Sequence, residues 1–229
     1  MGSALLGTGL DPLGDGISKV TCLNVMGDDL TVVNAARVSF AKTSYWHDGD
    51  ELKEQDAKLI KYLAAHKHWT PFSQPQIQFR IKMPIFVARQ WYKHQVGFTR
   101  NEVSRRYVSD TPECYTPSVW RKASPNIKQG SLDDTVDICD DVARTLMEDT
   151  INLYDDLISA GVCPEQARMV LPQSMFTEFV EVGSLAAYAR LYSLRSSEDA
   201  QKEIRDYAES VGIILMALFP YSWAALTEA

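Results

Sequence analysis

The residues best suited to chemistry lie in one stretch, residues 89–107. It holds a single acid, Glu102, in a chain whose formal net charge is −7. Its cationic side chains are Arg89, Lys93, Arg100, Arg105 and Arg106. Side chains that can orient hydrogen bonds stand among them, namely Gln90, His94, Asn101 and Ser104. The local reversal of charge predicts a site for an anionic ligand, and charge alone leaves a solvated basic face as the alternative.

Two predicted elements carry this stretch. Apolar residues alternate with polar ones over 76–83, which predicts a half-buried strand. Pro84 ends that strand and can occupy the first turn of a helix. Gln90, Lys93 and His94 are spaced i, i+3 and i+4, so the helix is expected to present them on one polar face. That face leads into a loop through Gly97.

The rest of the chain predicts an α+β domain with few strands and several helices. Strands are expected over 17–25 and 174–182, with a short one near 113–116. Helices are expected over 30–40, 50–65, 132–161, 164–170, 184–194 and 199–219, and a short amphipathic piece over 221–226. Residues 42–49 are expected to form an exposed loop. Residues 1–16 are expected to form a loose arm before a single domain over 17–229.

Composition limits the classes of function. The isoelectric point near 5.1 argues against a general nucleic-acid coat, which usually needs a large basic face. The sequence has no apolar run of 18 residues and no signal-like N-terminus, so no membrane partner is expected and a cytoplasmic location is predicted. His66 and His68 have no nearby Cys, Asp or Glu to complete a ligand set, so no metal site is predicted.

The cysteines are predicted to be reduced. They lie far apart without a CxxC pair, which argues against a zinc ribbon or a disulfide scaffold. Cys139 falls on an apolar helix stripe and is expected in the core. Cys163 precedes Pro164 at a helix start, where the alternatives are an incidental thiol and a stabilised thiolate.

Six blocks of sequence resemble, in the same order, landmarks of the flavin-dependent thymidylate synthases. The signature of that family reads approximately RHR, seven residues, then S, whereas here Lys93-His94-Gln95 is followed by eight residues and then Ser104. Thr99, Asn101, Glu102, Arg106 and Tyr107 follow the longer form of the pattern. The other blocks are AARVSF (35–40), HWTPF (68–72), PIFVARQW (84–91), ARMVLP (167–172) and LR (194–195). The resemblance covers about residues 17–220 and implies a small, mostly antiparallel sheet flanked by several helices.

The resemblance also implies an activity, the reductive methylation of dUMP to dTMP. The carbon would come from 5,10-methylenetetrahydrofolate and the electrons from NADPH through FAD, in a homotetramer with shared active sites. No enzyme cysteine would act as nucleophile, and nucleic acid would not be a partner. Arg195 corresponds to the family arginine that stabilises negative charge on the activated ring, which makes it the implied catalytic residue.

The implied ligand contacts fall into two sets. Those for dUMP are Gln90, Trp91, Tyr92, Lys93, Glu102, Val103, Ser104, Arg105, Arg106, Arg168 and Arg195. Those for FAD are Ser39, Thr70, Lys93, His94, Gln95, Glu102, Ser184, Arg190 and Asp199.

Departures from the family pattern concentrate on the flavin side. Lys93 and Gln95 replace the two arginines of the signature. The replacement removes one positive charge and two planar guanidinium groups, each of which could donate two parallel hydrogen bonds. Ser184 and Ala186 stand where the family usually has Asn and Arg, and Asp199 stands where a flavin-contacting His is common. Arg190 is the residue expected to supply the missing charge.

Two other functions stay open from the sequence. One is a non-catalytic nucleotide- or RNA-binding module that uses residues 89–107 and needs neither flavin nor Arg195. The other is a relic that binds flavin without methylating. The substrate residues argue against the relic because they are retained together: Glu102, Ser104, Arg106, Arg168 and Arg195.

Overall fold

The computed structural model describes residues 6–47, 49, 51–125, 130–136 and 140–228. Over these residues the fold is α+β, as predicted. The strands are β1 (Gly9–Leu10), β2 (Lys19–Met26), β3 (Gln76–Pro84), β4 (Phe98–Glu102), β5 (Arg121–Ala123), β6 (Ser131–Thr135) and β7 (Phe176–Ser184). One antiparallel sheet has the order β1-β2-β3-β7-β4, and β5 pairs with β6 in a separate two-stranded sheet.

Helices pack on the large sheet and on one another. They are α1 (Asp29–Arg37), α2 (Glu54–Ala65), α3 (Ile85–Trp91), α4 (Asp140–Ser159), α5 (Pro164–Ala167), α6 (Leu185–Arg195), α7 (Lys202–Leu218) and α8 (Pro220–Thr227). Short 3₁₀ turns follow at Val38–Phe40, Pro71–Ser73 and Arg168–Val170. No helix within the described ranges is long and apolar enough to cross a bilayer.

The buried face of the sheet follows the alternation read from the sequence. Ile77, Phe79, Ile81 and Met83 of β3 are fully buried, which confirms the predicted half-buried strand. Against this face pack aromatic side chains from the helices and from the neighbouring strand β7. The largest are Trp91, Phe179, Tyr188, Tyr207 and Trp223.

Carboxylate side chains cap the starts of two helices, α1 and α8. Asp28 accepts a hydrogen bond from Thr31 N at 2.8 Å, and Thr31 Oγ1 accepts one from Asp28 N at 3.1 Å, so α1 starts with a reciprocal capping box. The neighbouring Asp29 is buried, and its carboxylate accepts from the backbone N–H groups of Tyr221 and Ser222 at 3.1 and 2.7 Å. One carboxylate of α1 therefore caps the start of α8.

Several predicted boundaries are wrong. The helix expected from residue 132 begins at Asp140, because residues 131–135 form β6 and pair with β5, which the sequence did not predict. The helix expected from residue 50 begins at Glu54. Residues 98–102, expected to be loop, form the edge strand β4. For β4 and β6, pairing with another strand overrides the local pattern.

Smaller corrections concern the same regions. The strand near 113–116 is a single bridge between Cys114 and Met175. Strand β7 and helix α7 begin later than expected, at Phe176 and Lys202. The loose arm is wrong for Gly9–Leu10, which pairs with β2. Predictions for residues 1–5, Asp48, Asp50 and Cys139 lie outside the described residues.

Candidate active site

The basic stretch bends sharply at Gly97. Helix α3 ends at Trp91, so Lys93 and His94 lie in the following turn and the predicted shared helical face with Gln90 is wrong. Gly97 has a φ of +84°, and a Cβ there would lie 2.9 Å from Ala187 Cβ. Only glycine suits both the left-handed conformation and the close approach. The bend sets β4 beside β7 and brings His94 against helix α6.

Arg195 is held in place by two acceptors. It lies in the last turn of α6, where Nε donates to His94 Nε2 at 2.9 Å and Nη2 donates to the backbone oxygen of Gln90 at 3.3 Å. Because a ring nitrogen can accept only when it carries no proton, this geometry requires a neutral His94. Burial, followed by the charges of Arg195, Arg100 and Arg190, lowers the pKa of His94 to about 4. The guanidinium of Arg195 is therefore preoriented at neutral pH.

A second group of predicted substrate residues meets in an open cleft of about 380 Å³. Its lining residues are Ile85, Glu102, Val103, Ser104, Arg105, Arg168, Met169, Leu171, Met175, Phe176 and Thr177. The carboxylate of Glu102 accepts from Thr177 Oγ1 at 2.6 Å. The structure thus brings Glu102, Val103, Ser104, Arg105 and Arg168 together within one chain.

Three arginines lie in or beside this cleft. Arg105 Nη1 donates to the backbone oxygen of Asp110. Arg106 is exposed and its guanidinium lies over the ring of Tyr107, 5.5 Å from the centroid, while its backbone N donates to Ser104 Oγ at 3.3 Å. Arg168 is exposed on the 3₁₀ turn after α5. Arg106 and Arg168 face solvent, where an anion can reach them.

Two of the predicted substrate residues are turned toward the protein interior. Trp91 is fully buried and its Nε1 donates to Glu181 at 3.2 Å, so its side chain belongs to the core. Tyr92 is half-buried and its ring packs edge-on against Phe179 at 5.0 Å. Burial, followed by the negative charge of Glu102, raises the pKa of Tyr92. Lys93 is exposed.

Sequence reasoning missed a buried ion pair under the site. Arg100 and Glu181 are directly opposite in the β4–β7 register, and Arg100 Nε donates to the fully buried Glu181 carboxylate. Burial raises the pKa of Glu181, and the charge of Arg100 opposes that shift. The guanidinium also lies 4.8 Å from the ring centroid of Phe98. The available signal was an acid, Glu181, at an inward-facing position of strand β7.

Comparison with known proteins decides the family. A sequence model of the family described as "Thymidylate synthase complementing protein" matches residues 21–221. A flavin-dependent thymidylate synthase of Thermus thermophilus is 37% identical over 212 residues, covering 91% of this chain and 75% of that protein. One of Thermosipho africanus is 35% identical, covering 90% and 89%. This chain belongs to the flavin-dependent thymidylate synthase family.

A solved structure supports the same relationship at the level of the fold. The UMP/dUMP methylase PolB from Streptomyces cacaoi, bound with 5-Br dUMP, superposes with a TM-score of 0.80 at 27% identity. The match covers 92% of this chain and 95% of PolB. This thymidylate synthase family member is therefore an α+β enzyme whose sheet and helices have the arrangement of a nucleotide methylase.

A family member of this kind needs a surface for flavin, and a cleft of about 440 Å³ beside α6 has suitable chemistry. Its lining residues are Leu63, Ala64, Lys67, His68, Trp69, Phe72, Ala186, Ala189, Arg190, Ser193, Leu194 and Leu226. Arg190 Nη2 donates to Val96 O at 2.9 Å, which ties it to the basic stretch. An apolar wall with cations at the rim fits part of a dinucleotide. Ala186 lines this cleft, where the family usually has an arginine.

The remaining predicted flavin residues are distributed around this region. Ser39 and Thr70 are both exposed. Ser39 lies on the 3₁₀ turn after α1, and Thr70 directly precedes the turn Pro71–Ser73. That second turn packs on α1 and α6. Gln95 is exposed in the turn before Gly97. Ser184 is buried and its Oγ accepts from Ala187 N at 3.2 Å, so this hydroxyl caps α6. Asp199 is exposed between α6 and α7. All five stay predictions as flavin contacts.

Metal and thiol chemistry have little support in the described part of the chain. That part contains no cluster of three His, Cys, Asp or Glu side chains placed to hold a metal ion. Burial raises the pKa of Cys22 to about 11 and also raises that of Cys114, so neither is a ready thiolate. Cys163 is an exposed free thiol at the start of α5.

Proposed function

We propose that this chain methylates dUMP reductively to dTMP, with carbon from 5,10-methylenetetrahydrofolate and electrons from NADPH through FAD. The observation that carries the proposal is the fixed Arg195, held by His94 and Gln90 at one end of the basic stretch whose other end opens into the cationic cleft. A nucleotide needs both features, since its phosphate requires charged donors and its reacting ring requires a preorganised cation.

Each part of the site has a task. Ser104, Arg105 and Arg106 would bind the phosphate dianion through charge-assisted hydrogen bonds, and Arg168 would contact the uracil. Glu102, anchored by Thr177, would orient the nucleoside. Arg195 would stabilise negative charge on the pyrimidine while the ring is activated.

FAD would be held by Arg190, Lys93, His94 and Gln95 together with Ser39 and Thr70, and when bound it supplies the reducing equivalents. Burial raises the pKa of the Cys22 and Cys114 thiols, so neither of these two described cysteines is a ready nucleophile for a route through an enzyme thiol. We also propose a cytoplasmic location, as predicted from the sequence.

A homotetramer with shared active sites is part of the proposal. Helix α4 exposes Val142, Leu146 and Leu153, and the turn after α5 exposes Met169 beside Arg168. Exposed apolar side chains are typical of surfaces covered by another protein chain, and Met169 also lines the cleft. Burial of Met169 between subunits would also close the cleft around its ligand.

The test starts from an absorbance spectrum of the purified protein with FAD, before and after dUMP is added. We expect oxidised-flavin bands that dUMP perturbs, followed by NADPH oxidation and dTMP formation once methylenetetrahydrofolate is present. The Arg195→Gln variant should keep the flavin bands and lose roughly 100- to 1000-fold in kcat. A colourless protein that takes up no FAD contradicts the proposal, and dUMP binding by such a protein would favour the non-catalytic nucleotide-binding module.

A further inference from the structure

Lys67 follows the end of helix α2 in a backbone conformation that glycine usually adopts. His66 is the C-cap of the helix, and Lys67 comes next with a φ of +58°. The backbone N of Lys67 donates to Ala64 O at 3.0 Å, and that of His68 donates to Leu63 O at 2.9 Å. This pair of bonds is the Schellman ending of a helix, whose left-handed residue is most often glycine. A residue with a Cβ is strained there, so lysine makes this turn less stable than glycine would.

The strained turn lines the cleft of about 440 Å³ beside α6. Lys67 and Arg190 are the two lining residues with a permanent positive charge, and most of the others are apolar or aromatic. The lining, as far as the structure describes the chain, contains no acidic side chain. Ala186 belongs to the first turn of α6, where the helix dipole adds further positive potential. The cleft therefore carries positive charge that its own walls do not neutralise.

The ammonium group of Lys67 is available to a ligand. Lys67 is exposed and forms no ion pair with any residue that the structure describes. On the same helix, by contrast, Lys58 pairs with Glu54 at 2.6 Å. Arg190 uses Nη2 to donate to Val96 O, and its other N–H groups can still donate. A strained backbone that carries an unpaired charge into a cleft points to a ligand for that charge.

We infer that Lys67, together with Arg190, binds the diphosphate of FAD in the cleft beside α6. A flavin dinucleotide joins apolar rings to two negative charges, and this cleft combines an apolar wall with two cations and no acid among its described residues. Lys67 thereby supplies positive charge to a cleft in which Ala186 stands where the family usually has an arginine. The inference rests on the proposed function, because it takes FAD as the cofactor.

The test separates the charge of Lys67 from its backbone conformation. Lys67→Gly removes the charge and also the left-handed strain. Lys67→Asn removes the charge with a residue that tolerates the left-handed region, and Lys67→Arg keeps a cation in the strained conformation. Lys61→Gln is the control, because Lys61 is an exposed lysine of the same helix that lines a different groove, between α2 and α8. Titration of FAD and of riboflavin onto the full chain freed of flavin, followed by flavin fluorescence, gives the dissociation constants.

We expect Lys67→Gly and Lys67→Asn to bind FAD about 10-fold more weakly than the wild type, since each lacks one charge-assisted contact to the diphosphate. Riboflavin, which has no phosphate, should bind every variant as it binds the wild type. Lys67→Arg and Lys61→Gln should keep their affinity for FAD, because arginine also binds phosphate and Lys61 does not line the cleft.

Thermal unfolding gives a second readout. The flavin-free Lys67→Gly protein should unfold about 2–4 °C above the wild type, because its left-handed residue is no longer strained. Stability and affinity for FAD should thus change in opposite directions. A lysine with a purely structural role would lower both when it is replaced.

The outcomes separate this inference from the proposed function. If the wild type takes up no FAD, the proposed function fails and the inference fails with it. If the wild type takes up FAD and both neutral variants keep its affinity, the inference alone is overturned. Equal losses for FAD and riboflavin would also overturn it, because the diphosphate would then not be the group that Lys67 contacts. Should Lys67→Gly fail to fold, the affinities of Lys67→Asn decide.

Discussion

The two ends of the basic stretch are held very differently. At the ring end, which comprises Gln90, His94 and Arg195, the guanidinium has two fixed acceptors and the neighbouring amide is held by Gln201. At the phosphate end, which comprises Ser104, Arg105 and Arg106, Ser104 and Arg105 line an open cleft and Arg106 is exposed. Rigidity is therefore concentrated where the proposed chemistry takes place.

The difference has a physical reason. A phosphate arrives with its charge already present, so flexible cations can gather around it, at some cost in ordering side chains. Negative charge on the ring develops only during the reaction, and a cation that must reorient at that moment stabilises it less. We therefore expect substitutions at the ring end to lower the free energy of unfolding and kcat, and substitutions at the phosphate end to lower the affinity for dUMP.

The largest effect is expected from the ion pair beneath the ring end. Arg100→Gln leaves the buried Glu181 carboxylate without its charged partner and should lower the free energy of unfolding by about 3–5 kcal/mol. Denaturant unfolding measures it. The control is Arg80→Gln, which breaks the exposed pair of Arg80 with Glu178 on the same sheet and should cost about 1 kcal/mol or less. Equal losses in the two variants would refute the comparison.

An intermediate effect is expected at the phosphate end. Arg106→Gln removes an exposed, charge-assisted donor worth about 1.5–3 kcal/mol, so dUMP should bind roughly 10- to 100-fold more weakly. Deoxyuridine, which lacks the phosphate, should bind as it does to the wild type. Calorimetry with both ligands measures this, and Lys58→Gln on the exposed side of α2 is the control. Parallel losses for both ligands would mean that Arg106 does not act through the phosphate.

The smallest effect is a pH dependence of stability from His94. Its folded pKa of about 4 lies below the value of about 6.5 for an unfolded chain, so between these values the unfolded state binds more protons. Stability should therefore fall as pH falls through this window, and His94 should contribute no slope above it. His94→Gln keeps an acceptor for Arg195 but does not titrate, so its unfolding should depend less on pH between 6.5 and 4. An NMR titration of His94 with a midpoint near 6.5 would disagree.

The parts of the fold that the sequence predicted are those with a strong local period. Strand β3 alternates cleanly, and α6, α7 and α8 lie within a few residues of their expected positions. Strands β4, β5 and β6 are short and polar, and their conformation depends on partners elsewhere in the chain. An apolar spacing that fitted a helix from residue 132 was overridden by pairing of β6 with β5.

The same distinction applies to the site. Motif residues such as Glu102, Ser104 and Arg168 could be named from the sequence, and the structure brings them into one cleft. The supporting contacts could not be named, because Arg100 and Glu181 are 81 residues apart and Gln90 and Gln201 are 111 apart. No local pattern connects such pairs, so only the three-dimensional fold reveals them.

Because Arg100 and Glu181 form one buried ion pair, a substitution at either position is expected to need a matching substitution at the other, although the two are 81 residues apart. Exchanging residues 93–104 for the signature of a relative that lacks an arginine at position 100 would leave Glu181 buried opposite a side chain that cannot neutralise it. We therefore expect such an exchange to succeed only when Arg100 is kept or Glu181 is changed to an apolar residue in the same step.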